Sequence, residues 1–244
     1  MATMDSITNV TIKPLKEQSN FVKPFRMTYM QTGNTKSWDL VLQKPSVCAV
    51  IYNKSRKKLV LVKQFRPAVY ASVIGKQSKL ENFNTTNVIN AEHGITLELC
   101  AGMMDKLGKS PKEIAQLEVL EECGYDVALD KFEHILTFLS GVGIGGENMH
   151  LFYVEVTDQM RISKGGGLES EGEMIDVVEM SCQEVELYLN RSKVKSPMFT
   201  IFGLTWFLKD RATYARNNFN LSNMICMSAI GLLAFVTGMI WSSN

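Results

Sequence analysis

Alternating apolar runs and polar turns constrain the fold of this chain most strongly. The segments 46–52 and 59–65 are rich in β-branched and apolar residues, and the polar stretch 53–58 separates them. This arrangement is typical of two neighbouring β-strands joined by a hairpin. Further runs of the same kind lie at 96–99, 132–140, 149–156 and 175–180. A chain with so many strand-like runs has to be organised around a sheet.

Helical signals lie between these strands. Ser110, Pro111 and Glu113 have the spacing of a capping box with proline at the first helical position. Gly124 is suited to end that helix in a left-handed turn. Helical patterns also occur at 181–190 and 197–209. Residues 71–96 are polar and aperiodic, which predicts a long hairpin tip or an insertion. The sequence therefore predicts an α+β fold with a mostly β body.

The composition excludes several classes of protein. The 244 residues are 45% hydrophobic and 21% charged, and the formal net charge is +1. A polybasic surface for nucleic acid is therefore not expected, and collagen, a disulfide scaffold and bulk disorder are excluded. The five cysteines are scattered without a C-x-x-C pair, which favours reduced thiols in the cytoplasm.

Residues 217–244 are a local exception, because they carry no charged side chain. Within them, 224–241 is almost wholly apolar, and as a helix it would be about 27 Å long, close to a hydrocarbon core of about 30 Å. Lys209, Arg211 and Arg216 precede it. The positive-inside rule then predicts a transmembrane helix that anchors a cytoplasmic body to an intracellular membrane. A buried core helix or a partner-binding segment is the alternative.

Three carboxylates project from one face of the predicted helix that begins near Ser110. Glu118, Glu121 and Glu122 stand at positions i, i+3 and i+4, where helical side chains are neighbours. Carboxylates so close repel one another, and a hard divalent cation relieves that repulsion and usually binds substrate phosphates as well. A solvated acidic face is the alternative, and the spacing alone does not decide between them.

The surroundings of these carboxylates resemble the Nudix box, whose core reads R-E-U-x-E-E-x-G-U. Residues 117–125 read LEVLEECGY and match this core except at its arginine, where Leu117 stands. The loop after Gly102 has one extra residue and lacks the first glutamate of the box. In the family, that arginine and that glutamate help to hold the loop against the helix. Because both are missing here, neither is left without its partner.

The resemblance covers about residues 24–208, and it is to the UDP-sugar pyrophosphatases of the Nudix superfamily, close relatives of the ADP-ribose pyrophosphatases. The matching segments outside the box are 36–39, 61–70, 97–102, 140–143, 152–158 and 165–173. The resemblance implies an α/β/α sandwich with a mixed sheet, plus N-terminal strands and a C-terminal hydrophobic helix. The implied organisation is 1–44 for dimerisation strands, 45–216 for the Nudix domain and 217–244 for the tail.

The resemblance also implies a reaction, the hydrolysis of UDP-glucose to UMP and glucose 1-phosphate with Mg²⁺ or Mn²⁺. Hydrolysis of ADP-ribose to AMP and ribose 5-phosphate is an alternative within the same chemistry. A membrane-tethered Nudix-fold binding module without catalysis is an alternative from another class. The family further implies a homodimer in which the N-terminal strands, at about 23–42, cross to the partner.

The metal-binding positions of the family fall on Glu118, Glu121 and Glu122, with Glu122 also counted as catalytic, and on the carbonyl of Ala101. The family takes a further carboxylate from a late loop. Glu171 matches the base that activates water, and Glu173 matches a metal or substrate site, although the two roles could be exchanged.

Two further residues are candidates for substrate binding. The planar guanidinium of Arg66 suits a phosphate, and a surface ion pair is the alternative. Glu98 either orders the metal loop or meets the sugar nucleotide. The glycines at 165–167 predict a flexible loop that closes over substrate. The histidines lack metal-ligand spacing and are predicted to be structural: His93, His134 and His150.

Overall fold

The strands and helices below come from a computed structural model that describes residues 6–19, 22–74, 83–85 and 89–212. The strands are β1 (Ser6–Ile7), β2 (Val10–Ile12), β3 (Pro24–Gln31), β4 (Asn34–Val41), β5 (Ser46–Asn53), β6 (Lys58–Phe65), β7 (Phe83–Thr85), β8 (Ile89–Asn90), β9 (Ile95–Glu98), β10 (Cys100–Met103), β11 (Glu133–Leu139), β12 (Asn148–Val156) and β13 (Ile175–Ser181). The α-helices are α1 (Pro67–Ile74), α2 (Pro111–Cys123), α3 (Cys182–Leu189) and α4 (Met198–Trp206).

In the described part of the chain, seven strands form one mixed sheet. Its order is β11-β12-β5-β6-β13, with β10 beside β5 and β9 beside β6. β12 and β5 run parallel, whereas the other pairs are antiparallel. The predicted hairpin of β5 and β6 lies at the centre, because its residues are apolar on both faces and are almost wholly buried there. The predicted α+β class is confirmed.

The acidic helix α2 has well-defined ends. The Ser110 hydroxyl accepts from the backbone N–H of Glu113, and the Glu113 carboxylate accepts from the N–H of Ser110, so the capping box is complete. Gly124 ends the helix with φ of +79°, and a side chain there would collide with the backbone of Ser163. These contacts fix where α2 begins and ends, and hence where its carboxylates lie.

An apolar core lies between α2 and one face of the central sheet. The sheet contributes Val47, Ala49 and Ile51 of β5, and the helix contributes Ile114 and Val119. The side chains on this face of the helix are fully or almost fully buried. Their burial holds α2 against β5 and β10, so that the carboxylates come to lie beside β10.

The first part of α4 packs on the opposite face of the sheet. The Thr200 hydroxyl accepts from the N–H of Leu99 at 3.0 Å. Gly203 lies so close to Val50 and Leu151 that a side chain there would meet both. Helices therefore cover both faces of the sheet, as the sandwich architecture requires.

Part of the segment 71–96, predicted to be irregular, is helical. α1 runs from Pro67, which suits a first helical position, through the apolar residues to Ile74. Tyr70 is buried against the ring of Phe65. The packing of Tyr70 against Phe65 therefore stabilises a helix that the sequence pattern of 71–96 does not indicate.

A second compact unit begins at Leu204. In its described part, α4 ends at Trp206, and a π-helical turn continues over Phe207–Ala212. Within the described residues, every helix falls short of the length and apolarity needed to cross a bilayer. The predicted transmembrane segment 224–241 lies outside the described residues.

Candidate active site

Glu122 is the most buried of the three carboxylates predicted on α2. Its side chain lies beneath α2, is 2% exposed, and accepts a hydrogen bond from the backbone N–H of Ala101 at 3.1 Å. Burial, followed by the neighbouring charge of Glu118, raises the pKa of Glu122 to about 8. The fold thus joins Glu122 and Ala101, two of the predicted metal-binding positions, in one contact.

Glu118 lies one turn earlier on α2, above Gly102. Its carboxylate occupies the space that a side chain at Gly102 would need. A side chain at position 102 would therefore displace the Glu118 carboxylate from its place over β10. Burial and the adjacent charge of Glu121 raise the pKa of Glu118 to about 7.

Glu121 is held by a cation that the sequence did not identify. Lys106 Nζ contacts the two carboxylate oxygens of Glu121 at 2.9 and 3.2 Å. Lys106 belongs to the loop between β10 and α2, so this ion pair ties the loop to the helix. It provides a link of the kind that the family obtains from the box arginine and glutamate, which this chain lacks at Leu117 and in the preceding loop.

The glycines at 165–167 are fixed against the end of α2. The N–H groups of Gly166 and Gly167 donate to the carbonyls of Glu122 and Glu121 at 2.9 and 3.2 Å. All three glycines have positive φ, and a side chain at Gly165 would collide with the Glu122 carbonyl. These glycines therefore cap free carbonyls at the helix end, and the closure of this loop over substrate stays a prediction.

The acidic loop that follows brings Glu173 to the site. Its carboxylate accepts from the N–H of Leu168 at 2.8 Å, and its charge contributes to the raised pKa values of both Glu118 and Glu122. Glu171 lies in a 3₁₀ turn, Glu169–Glu171, but its side chain is outside what the structure describes.

Arg66 and Glu98 form a bidentate ion pair. Arg66 Nε and Nη2 donate to the Glu98 oxygens at 2.8 and 2.7 Å. The Glu98 side chain is 2% exposed and that of Arg66 is 44% exposed, so the structure shows Arg66 in an ion pair with a buried partner, and its predicted phosphate-binding role stays a prediction. Thr96 also donates to Glu98 at 2.5 Å.

The charge of Arg66 extends to the carboxylates of α2. The hydrogen bond to Glu98 raises the pKa of Arg66 most, and the charges of Glu98, Glu122 and Glu173 add to that effect. The guanidinium therefore lies within electrostatic reach of the predicted metal-binding carboxylates, where it can bind an anion that those carboxylates alone would repel.

The donor set suits a hard divalent cation. Glu118, Glu121 and Glu122 offer carboxylate oxygens, the ligands that Mg²⁺ and Mn²⁺ prefer. Burial, and after it the neighbouring carboxylates, raises the pKa values of Glu118 and Glu122, so a bound cation would stabilise their charged forms. Among the described residues, no three such side chains already stand at metal-binding distances. Glu121 would have to exchange its contact with Lys106 for the metal.

Two of the three histidines lie on other strands, whereas His93 lines a cleft beside Arg66 and Glu98. His134 and His150 lie on β11 and β12, where both rings contact the hydroxyl of Thr137 at 2.9 Å. His93 is the last residue of a short 3₁₀ turn that precedes β9. The residues that sequence reasoning missed are Lys106 and Thr96. An isolated lysine in a loop and a threonine in a strand carry no motif, so their roles emerge only from the fold.

Comparison with known proteins places the chain in a family. No family model matches it. The uridine diphosphate glucose pyrophosphatase NUDT14 of Bos taurus is 39% identical over 78% of this chain and 89% of its own length. The Mus musculus protein of the same name is 35% identical over 84% and 95%. A GDP-mannose pyrophosphatase of Pectobacterium atrosepticum is 29% identical over 60% and 64%.

The mixed sheet between helices, with a capped acidic helix on one face, defines a Nudix-type hydrolase fold and site. Together with these relatives, it shows that the chain belongs to the Nudix hydrolases, in the branch that contains the sugar-nucleotide pyrophosphatases. Enzymes of this type generally use divalent metal ions.

Proposed function

We propose that this protein hydrolyses the pyrophosphate bond of UDP-glucose to UMP and glucose 1-phosphate with Mg²⁺. The observation that carries the proposal is the convergence of Glu118, Glu122 and Glu173 with the guanidinium of Arg66. This arrangement offers oxygen ligands for a cation and a cation for the phosphates. The two mammalian relatives named for UDP-glucose support the choice of sugar nucleotide.

Each group has a distinct role in the proposed reaction. A divalent ion bound by Glu118, Glu121, Glu122 and the Ala101 carbonyl would polarise the phosphoryl oxygens and lower the pKa of bound water. Arg66 holds the substrate phosphates. The late acidic loop supplies the base: Glu171 accepts the proton of the attacking water, with Glu173 as the residue beside the metal or substrate.

A product assay tests the proposal directly. The purified full-length protein is incubated with Mg²⁺ and, separately, with UDP-glucose, GDP-mannose and ADP-ribose, and the products are separated by ion-exchange chromatography. We expect UMP and glucose 1-phosphate in equal amounts, with the highest kcat/KM for UDP-glucose. If a folded preparation hydrolysed none of the three, the protein would be a non-catalytic binding module instead.

Metal binding is expected to depend on pH. Because the pKa values of Glu118 and Glu122 are raised to about 7 and about 8, both hold protons in the metal-free protein at slightly acidic pH, and a metal has to displace them. The apparent Kd for Mg²⁺ should be at least about tenfold higher at pH 6 than at pH 8.5. Isothermal titration calorimetry measures this, and an affinity independent of pH would contradict it.

The same shifts have a consequence for stability, with the opposite sign. A glutamate whose pKa is higher in the folded than in the unfolded state stabilises the fold below its unfolded value of 4.5 and loses that contribution as the pH rises through about 8. The Tm of the metal-free protein should therefore fall between pH 5 and pH 8, and added Mg²⁺ should restore more of it at pH 8 than at pH 6.

A homodimer is part of our proposal. The hairpin of β3 and β4 is exposed, and it presents the apolar side chains of Phe25, Met27 and Trp38, the last 54% exposed. Exposed apolar groups of this kind favour a protein partner. Trp38 Nε1 donates to the Gly143 carbonyl at 3.0 Å, which fixes the hairpin on the body. A monomeric mass by light scattering would refute the dimer.

The location of the enzyme is also a proposal. The uncharged segment 217–244 supports a cytoplasmic catalytic domain held at an intracellular membrane. A fluorescent fusion of the whole chain should sediment with membranes, and one that lacks 217–244 should be soluble. Equal distribution of the two would refute the anchor.

A further inference from the structure

The loop between β10 and α2 is fixed at both ends and open in the middle. At its start, the Met104 N–H donates to the carbonyl of Pro45 at 2.8 Å. At its end, the capping box holds Ser110 against the first turn of α2. Leu107 at the tip is fully exposed, and a side chain at Gly108 would have no described neighbour within 4 Å. The tip can therefore move while both ends keep their place.

Lys106 lies in this tip and carries a positive charge into the acidic site. Its Nζ contacts both carboxylate oxygens of Glu121, and the side chains of Lys106 and Glu121 are 34% and 21% exposed. The charge of Lys106 also acts on Glu118. Burial and the charge of Glu121 raise the pKa of Glu118, and the charge of Lys106 opposes that rise. The ammonium thus neutralises part of the negative charge that a divalent ion would neutralise.

The two cations of the site are held in different ways. Arg66 donates two short hydrogen bonds to Glu98, whose side chain is 2% exposed, so its guanidinium has a fixed position. Lys106 stands on a flexible four-carbon stem, and the carboxylate that it contacts, Glu121, lies on a more exposed part of α2. Of the two cations, Lys106 is therefore the one that can leave its carboxylate.

A divalent ion on the α2 carboxylates would compete with Lys106 for Glu121. One partly exposed ion pair contributes little to stability, whereas a doubly charged ion gains from several carboxylate ligands at once. The ion would therefore displace the ammonium from Glu121. Because both ends of the loop are fixed, the displaced ammonium would stay beside the site.

The displaced ammonium then needs a new counter-charge, since a partly buried cation without a partner is costly. The phosphates of a substrate provide one, because a hard divalent ion usually binds them together with its carboxylates. Lysine suits this second partner, since its ammonium is a compact charge with three donors on a mobile stem.

We infer that Lys106 exchanges partners: it pairs with Glu121 in the metal-free protein and with a substrate phosphate once a divalent ion is bound. In the first state it lowers the affinity for the metal, and in the second it contributes to substrate binding. The second half of the inference rests on the proposed function, whereas the first half rests on metal binding alone.

Lys106→Met tests both halves, because methionine keeps much of the length of the side chain and removes its charge. Binding of Mn²⁺ to the full-length protein without substrate is measured from the electron paramagnetic resonance signal of the free ion. We expect the variant to bind Mn²⁺ about threefold to tenfold more tightly, since no ammonium has to be displaced. With saturating metal, KM for UDP-glucose should rise about tenfold, and kcat should change less than KM.

Lys109→Met is the matched control, because it removes the same charge from the same loop. The charge of Lys109 acts on Glu113 of the capping box, away from the acidic face, so this variant should keep the wild-type Mn²⁺ affinity and KM. Lys106→Gln gives an independent second variant should Lys106→Met fail to fold.

Two results would overturn the inference. One is an Mn²⁺ affinity of the Lys106 variants no higher than that of wild type or of Lys109→Met. The other is a wild-type KM in the Lys106 variants, which would leave the ammonium without a role at the phosphates. Absence of turnover in wild type would instead overturn the proposed function, because Mn²⁺ binding is measured without catalysis.

Discussion

Glu122→Gln should reduce kcat for UDP-glucose by about a hundredfold to a thousandfold, the range found when one preorganised electrostatic group is removed from an active site. The amide keeps the size of the carboxylate, and its oxygen can still accept from the N–H of Ala101. It carries no charge with which to hold a divalent ion. Steady-state kinetics at saturating Mg²⁺ measures the loss.

The same substitution should not destabilise the protein. Burial opposes ionisation of Glu122, as its raised pKa of about 8 shows, so a neutral amide removes an electrostatic cost above that pH. We expect the Tm of metal-free Glu122→Gln to equal or exceed that of wild type at pH 8.5. Activity and stability therefore change in opposite directions, which separates loss of a functional group from loss of the fold.

The matched control lies on the same helix. Glu113 belongs to the capping box, and because glutamine also serves at that position, Glu113→Gln should keep both the helix and full activity. If Glu122→Gln retained wild-type activity, the carboxylates of α2 would not be the metal site.

Local signals made α2 predictable. The capping box, the terminal glycine and the carboxylate spacing lie within one stretch of sequence, so the helix and its acidic face follow from short-range rules. The sheet strands were predictable for the same reason, because runs such as 46–52 and 59–65 are recognisable by their β-branched and apolar residues. Assignment of function to the carboxylates, by contrast, needed the resemblance to a family, because acidic helical faces are common.

Long-range contacts account for what the sequence pattern missed. Lys106 reaches Glu121 across the turn into α2, and the glycines at 165–167 cap a helix that ends at Cys123. Neither of these contacts is indicated by a sequence period or a motif. α1 was missed because its short apolar run is stabilised by the contact of Tyr70 with Phe65, and such tertiary packing overrides local polarity in the surrounding segment.

Contacts in the fold explain how the chain tolerates its two departures from the Nudix box. The box arginine and the first box glutamate are absent together, so no buried charge is left unpaired. Lys106 and Glu121 provide a different link between loop and helix. This link uses a carboxylate that the metal also needs, so that metal binding and loop attachment compete for Glu121. The loop between β10 and α2 is therefore expected to loosen from the helix when metal binds.

Arg66→Ala should damage both stability and substrate binding. Removal of the guanidinium leaves Glu98 buried with only Thr96 and Gln64 as side-chain partners, and loss of a charged partner from a buried group costs about 2 kcal/mol. It also removes the cation that faces the substrate phosphates, so KM for UDP-glucose should rise about tenfold to a hundredfold. Chemical denaturation and steady-state kinetics measure the two effects.

A second substitution separates these two effects. In Arg66→Ala/Glu98→Gln, the buried charge is gone together with its partner, so most of the lost stability should return. The raised KM should persist, because nothing replaces the guanidinium at the phosphates. Arg56→Ala is the control: Arg56 also pairs with carboxylates, those of Asp158 and Glu179, but in an exposed position, and its loss should cost at most about 1 kcal/mol with KM unchanged. If KM recovered together with stability in the double variant, Arg66 would serve only to neutralise Glu98, and the phosphates would have to be held by other residues.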